Sequence, residues 1–296
     1  MPEPLAICYL NGEYLPLREA RISPLDRGFL FGDAVYEVLP VYRGRMFRFR
    51  EHFDRLARSL DAIRIPAPHS HEQWLALLEA LIQRNGGGDM YVYVQVTRGM
   101  EYGRNHAFPQ HVTPSVFALA APLPALTEEV RMHGCAAITL EDFRWGRCDI
   151  KTTALLANVL MKQRAVDAGA QEAIIVRDGE VLEGSSASVF VVRDGILATP
   201  PNGPRILAGT TRDTVLELAA AAPGALGLSQ IEIRSIGIDE LRAADEVWLS
   251  AATRDVLPVS RIDGHPVGAG RPGPCWQAMS RAFQDLRARL DGTPVL

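Results

Sequence analysis

The chain has 296 residues, about twice the length of a typical domain, with 47% hydrophobic and 22% charged residues, a globular balance that excludes disordered and collagen-like classes. A net charge of −4 offers no general attraction to polyphosphate, so nucleic acid is not an expected partner. No apolar stretch approaches a membrane span, MPEPLAICYLNGEY lacks a leader pattern, and Cys8, Cys135, Cys148 and Cys275 lack ligand or CxxC spacing, so we expect a soluble cytoplasmic protein with reduced thiols, no metal and no membrane partner.

The first elements read as hairpins. Ala6–Leu10 and Glu13–Leu17 alternate around Asn11-Gly12, the dipeptide a type I′ turn prefers. Ala34–Tyr42 and Met46–Phe49 form a second pair around Arg43-Gly44. Arg50–Ile63 then carries Phe53, Leu56, Leu60 and Ile63 at helical spacing. Ser70 and Gln73 form a capping box ahead of Trp74, Leu77, Leu78, Leu81 and Ile82. Gly86–Gly88 ends that helix, and Met90–Thr97 and Ser115–Ala120 are strands. This predicts a small α+β domain over 1–121, a proline-punctuated linker over 122–127 and a larger mixed α/β domain over 128–296. In the second domain, strands at Cys135–Leu140, Glu172–Val176, Val189–Val192, Ile231–Arg234 and Val247–Ser250 alternate with helices near Thr153–Ala168, Thr211–Ala221 and Cys275–Leu290. No repeat and no Gly-rich nucleotide-binding loop interrupts the pattern.

Of 31 basic residues only Lys151 and Lys162 are lysine. A sequence that uses arginine wherever charge suffices has kept Lys151 either by chance or for covalent amine chemistry, which a guanidinium cannot perform. Lys151 precedes Thr152-Thr153, good caps for the following helix, whereas Lys162 lies beside Gln163 and Arg164 as on a solvated face. Glu183-Gly-Ser-Ser-Ala-Ser188 is an ordinary polar turn or a carboxylate set among small residues. Gly209-Thr-Thr-Arg-Asp213 is a threonine-capped helix start or a seat for phosphate, with Ser250-Ala-Ala-Thr253 a weaker second turn and Arg55 a candidate counter-charge. Together, an amine, a carboxylate and a phosphate seat are the parts needed to hold pyridoxal 5′-phosphate.

At this point Asp26-Arg-Gly-Phe-Leu-Phe-Gly-Asp-Ala-Val-Tyr-Glu-Val38, Glu51-His-Phe-Asp-Arg-Leu56, Gln95-Val-Thr-Arg-Gly99, Arg147-Cys-Asp-Ile-Lys151, Glu183-Gly-Ser-Ser186 and Gly209-Thr-Thr-Arg-Asp213 are decisive as a set. In that order, and over nearly the whole chain, they resemble the D-amino-acid transaminase family. That family belongs to the fold-type-IV pyridoxal-phosphate enzymes, with branched-chain aminotransferases and aminodeoxychorismate lyases. The resemblance implies a two-domain α+β fold of type IV and a homodimer that passes an amino group from a D-amino acid to a 2-oxo acid by a ping-pong cycle, with D-alanine and 2-oxoglutarate as the implied pair.

Residue by residue, the resemblance implies that Lys151 is the Schiff-base lysine and proton carrier, and that Glu183 holds the pyridine nitrogen. It gives the phosphate to Arg55, Thr210, Thr211 and the Ala252 amide, and the cofactor lining to Ser186 and Leu207. Tyr36, Arg104 and His106 match the family's trap for the substrate carboxylate, Arg104 and His106 reaching in from the partner subunit. The chain departs from the family at Ala252, where a threonine is expected, and by one extra residue ahead of Arg104. An L-branched-chain aminotransferase, an (R)-amine transaminase and an aminodeoxychorismate lyase share the scaffold. A non-catalytic binding module with a structural Lys151 is the alternative from outside enzymology.

Overall fold

Asn11 and Gly12 take φ of 48° and 104°, the positive pair that a type I′ turn demands, and fold β1 (Ile7–Leu10) onto β2 (Glu13–Pro16). The computed structural model describes residues 3–111 and 113–289. They divide into one unit ending at Pro124 but including Ile150–Leu155, and a second formed by Ala125–Asp149 and the chain from Leu156 onward.

The first unit continues through α1 (Arg27–Phe31), β3 (Ala34–Tyr42), β4 (Arg45–Met46), α2 (Phe49–Ala62), α3 (His71–Arg84), β5 (Met90–Thr97) and β6 (Ser115–Pro122). Its antiparallel sheet has the order β2-β1-β6-β5-β3-β4. Alternation along β3 puts Val35, Leu39 and Val41 in a core with Leu56 and Leu60 of α2 and Leu78 and Leu81 of α3. Ser70 and Gln73 make the reciprocal capping box that starts α3. The strand expected over Met46–Phe49 stops at Met46, because Arg48 adopts a left-handed φ of 56° and turns Phe49 into the first residue of α2. There Phe49 stacks on Phe53, one helical turn on, at 4.6 Å. Helix α1 is too short to show periodicity. It is set by the Asp26 carboxylate, which accepts the Gly28 amide at 2.8 Å, and is closed by Gly32 at φ 66°.

Ile150–Leu155 packs with the first unit, although an uncut division at 122–127 leaves it in the second. Ile150 joins the core beside β3, and Thr152 bridges Val35. Pro122 is still the last residue of β6, paired with Met90, and Thr127 caps the next helix.

The second unit contains α4 (Glu128–His133), β7 (Cys135–Glu141), α5 (Leu156–Asp167), β8 (Glu172–Arg177), β9 (Glu180–Gly184), β10 (Ser188–Arg193), β11 (Ile196–Thr199) and α6 (Thr210–Ala221). It continues with β12 (Gln230–Ile233), β13 (Ile236–Gly237), α7 (Ile238–Arg242), β14 (Glu246–Ala251), β15 (Asp255–Ile262), β16 (His265–Pro266) and α8 (Pro274–Ala288). Leu290, expected at the end of α8, lies outside the described residues. The mixed sheet runs β12-β11-β10-β14-β15-β7-β8-β9-β13, with β16 on β15. Strands β9, β11 and β16 are hairpin returns that periodicity does not reveal. Each follows an Asp-Gly turn with both residues at positive φ: Asp178-Gly179, Asp194-Gly195 and Asp263-Gly264.

Buried Glu246 ties β14 to the start of α8, accepting the amides of Cys275 (2.9 Å) and Trp276 (2.8 Å) and the Trp248 indole N–H (2.9 Å). Glu246→Ala leaves all three donors without this acceptor, and we expect a loss of about 3 kcal/mol, read as a lowered denaturation midpoint in urea.

Candidate active site

Lys151 is held by its backbone. Its carbonyl accepts the Tyr36 amide of β3 at 2.9 Å, and its amide donates to the Ser59 hydroxyl of α2 at 3.2 Å. Thr152 donates through its hydroxyl to the Ala34 carbonyl at 2.9 Å, and the Thr153 amide donates to the same oxygen at 3.1 Å. These threonines therefore bind β3 rather than cap α5, which starts only at Leu156. The side chain is half-buried, with Nζ 4.4 Å from the centre of the Tyr36 ring, and Tyr36 in turn stacks on Tyr93 at 5.6 Å.

Glu37 follows Tyr36 and so points to the opposite face of β3, where it is fully buried. Arg55 grips it with Nε on Oε1 at 2.7 Å and Nη2 on Oε2 at 2.8 Å, and His52 Nδ1 lies 2.9 Å from Oε2. His52, Arg55 and Ser59 line one side of α2, so the helix that fixes the Lys151 backbone also carries the candidate phosphate arginine. Burial alone would raise the Glu37 pKa, but the Arg55 charge and its hydrogen bonds, with help from His52, hold it well below the usual carboxylate range. For His52 burial prevails over the pull of Glu37 and lowers the pKa.

Arg104 and His106 come together on another aromatic residue, Phe31 of α1. The Arg104 guanidinium lies 5.0 Å from the ring centre, and the His106 ring meets it edge-on at 5.4 Å. Both trap candidates are exposed.

In the second unit, the Glu183 carboxylate near the end of β9 accepts the Leu207 amide at 3.1 Å and receives a hydrogen bond from Arg144 Nη1. Arg144 also donates to Asp142, through Nε at 3.0 Å and Nη2 at 3.1 Å. Burial opposes its charge, but Asp142 and Glu183 raise its pKa above the ordinary value. Sequence reasoning could not single out Arg144 among so many arginines.

Ser186 donates to Glu172 Oε2 at 2.9 Å, and Ser185 donates to Oε1. Glu172 is wholly buried, with Lys162 Nζ at 3.6 Å and Arg254 Nη1 at 3.5 Å from Oε2. Lys162 is thus only partly solvated, paired on its inner side with a buried carboxylate. It donates to the Gln171 carbonyl, and burial lowers its pKa against the opposing Glu172 charge.

Thr210 and Thr211 are buried at the start of α6, a twelve-residue helix whose N-cap, Gly209, supplies no side-chain bond. Its positive dipole end therefore has no capping carboxylate or hydroxyl from that residue. A Cβ on Gly209 would lie 2.6 Å from Ser188 Oγ and 3.1 Å from Arg212 Cβ. Ser188 pairs in register with Ser250 of β14, whose buried Oγ has no hydrogen-bond partner among the described residues. Ala252 stands two residues further on, in the turn to β15. A buried Ser250 hydroxyl with no partner among the described residues, and a helix start whose glycine N-cap brings no side chain, fit a phosphate. A separate carboxylate fits a protonated ring nitrogen, and a half-buried amine fits an aldehyde.

Comparison with known proteins gives the class. The model of the family Amino-transferase class IV matches residues 34–262, and the chain belongs to that family. A D-alanine aminotransferase from Bacillus licheniformis is 40% identical over 275 residues, covering 93% of this chain and 95% of the relative. Among solved structures, the branched-chain amino acid aminotransferase from Escherichia coli superposes with a TM-score of 0.87 at 27% identity, over 95% of this chain and 94% of the other. A second branched-chain amino acid aminotransferase, that of T.th. with pyridoxamine 5′-phosphate, also gives 0.87, at 28% identity over 97% of this chain and 96% of the other. The protein is a pyridoxal-phosphate-dependent aminotransferase of fold type IV, and the binding-module alternative falls.

The buried Glu37–His52 pair makes the first unit sensitive to acid. With its folded pKa below the ordinary 6.5, His52 binds fewer protons in the folded than in the unfolded chain, so its effect is to lower stability as pH falls below that value. Glu37 adds to this at lower pH, because its contribution is complete above 4.5 and is lost as pH falls through the depressed folded value. We expect Tm to drop between about pH 7.5 and about pH 5.5, and His52→Asn to flatten that part of the profile in scanning calorimetry.

Proposed function

We propose that this aminotransferase takes the amino group of a D-amino acid, D-alanine foremost, and gives it to a 2-oxo acid such as 2-oxoglutarate in a ping-pong cycle. One observation carries the reading: a lysine set against an aromatic face, Lys151 over Tyr36, occurs in a chain 40% identical to a D-alanine aminotransferase. The branched-chain enzymes support the scaffold and not the substrate, at 27% and 28% identity.

When bound, pyridoxal phosphate supplies an electron sink and stores the amino group between the two halves of the cycle. Lys151 would hold the aldehyde carbon of the group covalently, and its ε-amine would carry the proton at the substrate α-carbon. Glu183, with Arg144 as its counter-charge, would hold the pyridine nitrogen in its protonated form. The amides of Thr210, Thr211 and Ala252, the Thr211 hydroxyl and Arg55 would hold the phosphate, and Ser186 and Leu207 would line the ring. Tyr36, Arg104 and His106 hold the substrate carboxylate, to which a guanidinium offers two parallel N–H donors.

The enzyme works as a cytoplasmic homodimer in which the loop bearing Arg104 and His106 serves the other copy. Exposed apolar side chains support this: Leu156, Val159 and Leu160 at neighbouring positions of α5, and Tyr102, 87% exposed in the loop itself.

Lys151→Arg keeps the charge and removes the amine that can be deprotonated, so transamination should fall about a thousandfold or more. In coupled assays of the wild type, D-alanine should serve as donor and L-alanine should not. Exclusive use of the L enantiomer would overturn the substrate assignment. Light scattering should give twice the chain mass.

A further inference from the structure

The loop carrying Arg104 and His106 is anchored by a side chain outside the proposed trap. Arg27, in α1, is buried, yet its guanidinium points its donors at the loop. Nη1 donates to the Asn105 carbonyl at 2.6 Å and to Glu101 Oε2 at 3.1 Å, and Nη2 donates to the His106 carbonyl at 3.3 Å. Nε is turned away, onto Asp33 Oδ2 at 2.9 Å, and Arg98 holds that carboxylate from the other side at 2.7 Å and 3.0 Å. The Arg27 amide donates to the Gly99 carbonyl at 2.9 Å, so the same residue also holds the near end of the loop. At the far end Phe108 sits against Arg98, with the guanidinium 3.7 Å from the ring centre.

A carbonyl oxygen lies in the plane of its peptide. Holding the oxygens of residues 105 and 106 therefore orients both peptide planes flanking the His106 Cα, and with them the direction in which its imidazole leaves the backbone. Glu101 and Asn105, pinned to one nitrogen, bracket Arg104 within a short span. Phe31 completes the device: Arg27 lies 4.9 Å from the ring centre that also supports Arg104 and His106.

We propose that Arg27 is the positioning residue of the 101–106 loop, its guanidinium fixing the loop carbonyls while Phe31 supports Arg104 and His106, so that the pair is aimed for binding of the substrate carboxylate. The inference rests on the reading of Arg104 and His106 as the carboxylate trap. All three Arg27 guanidinium nitrogens are engaged within the protein, by Asp33, Glu101 and the carbonyls of Asn105 and His106. A lysine there keeps the charge but has one nitrogen in place of three and cannot reproduce the set of bonds.

The experiment is a double-mutant cycle with D-alanine as donor on the cofactor-loaded enzyme, comparing Arg27→Lys, Arg104→Ala and the combination. Arg27→Lys should raise KM for D-alanine about tenfold, the effect of losing one to two charge-assisted bonds, with kcat within about threefold and the visible absorption of the cofactor unchanged. In the Arg104→Ala background the same change should raise KM by clearly less than it does alone, the remainder acting through His106. Additive effects, or an Arg27→Lys enzyme with normal KM beside an Arg104→Ala enzyme with raised KM, would overturn the role of Arg27. A normal KM in Arg104→Ala would overturn the trap itself, whatever Arg27 does. If Arg27→Lys fails to fold by circular dichroism, Glu101→Gln and Phe31→Leu repeat the test from the partly exposed side. A normal KM in both would reject the proposal.

Discussion

The site depends first on one backbone agreement, the docking of residues 150–153 along β3. A lysine side chain has four rotatable carbons, and its nitrogen is useful for covalent chemistry only if the start of that stem is fixed. Here the carbonyl of Lys151 is taken by Tyr36, its amide by Ser59, and the two following threonines close on Ala34. A segment far along the chain thus acts as a short extra strand of the first unit. Because side chains alternate along β3, the same register that places the amine over Tyr36 sends Glu37 to the buried face, into the grasp of α2.

Buried carboxylates recur behind the candidate residues of both units. Glu37 fixes Arg55, Glu172 fixes Ser185 and Ser186, and Asp142 fixes Arg144. Taking a charge out of water is costly, and a well-bonded ion pair returns little net stability over an apolar pair of the same shape. What it does supply is orientation: a bidentate guanidinium or a hydroxyl donating to a fixed oxygen has few alternative rotamers. The arrangement is therefore better understood as positioning than as stabilisation, with Glu246, which ties β14 to the start of α8, the structural exception.

Much of this is legible in the residues alone, and the limits are physical. The core helices α2 and α3, the capping box and strands β3 and β5 follow from local periodicity, which the tertiary structure has no cause to override. Lys151 stands out because a composition that favours arginine makes a lysine informative. The same bias makes Arg27 and Arg144 invisible, since one arginine among many carries no signal until its partners are known. Lys162 misleads because its helical neighbours suggest solvent, whereas the carboxylate that claims it comes from β8 and is set by tertiary packing. The hairpin returns at Asp178-Gly179 and Asp194-Gly195 have a readable signal in the Asp-Gly dipeptide, but the strands beyond them are too short for alternation to show.

The trap loop poses the opposite problem to the lysine. An exposed loop has the freedom to adapt to a substrate and also the freedom to miss it. Gly99 and Gly103, at φ of 97° and 118°, let this one turn sharply around Arg104. Tethers placed on backbone carbonyls resolve the conflict, because they hold the path of the chain without occupying the side chains that must stay available. Arg27 can be buried and fully committed while Arg104 and His106 remain at the surface, each resting on an aromatic face that leaves their polar edges open. The path of the loop is then set as much by what lies beneath it as by the two residues that project from it.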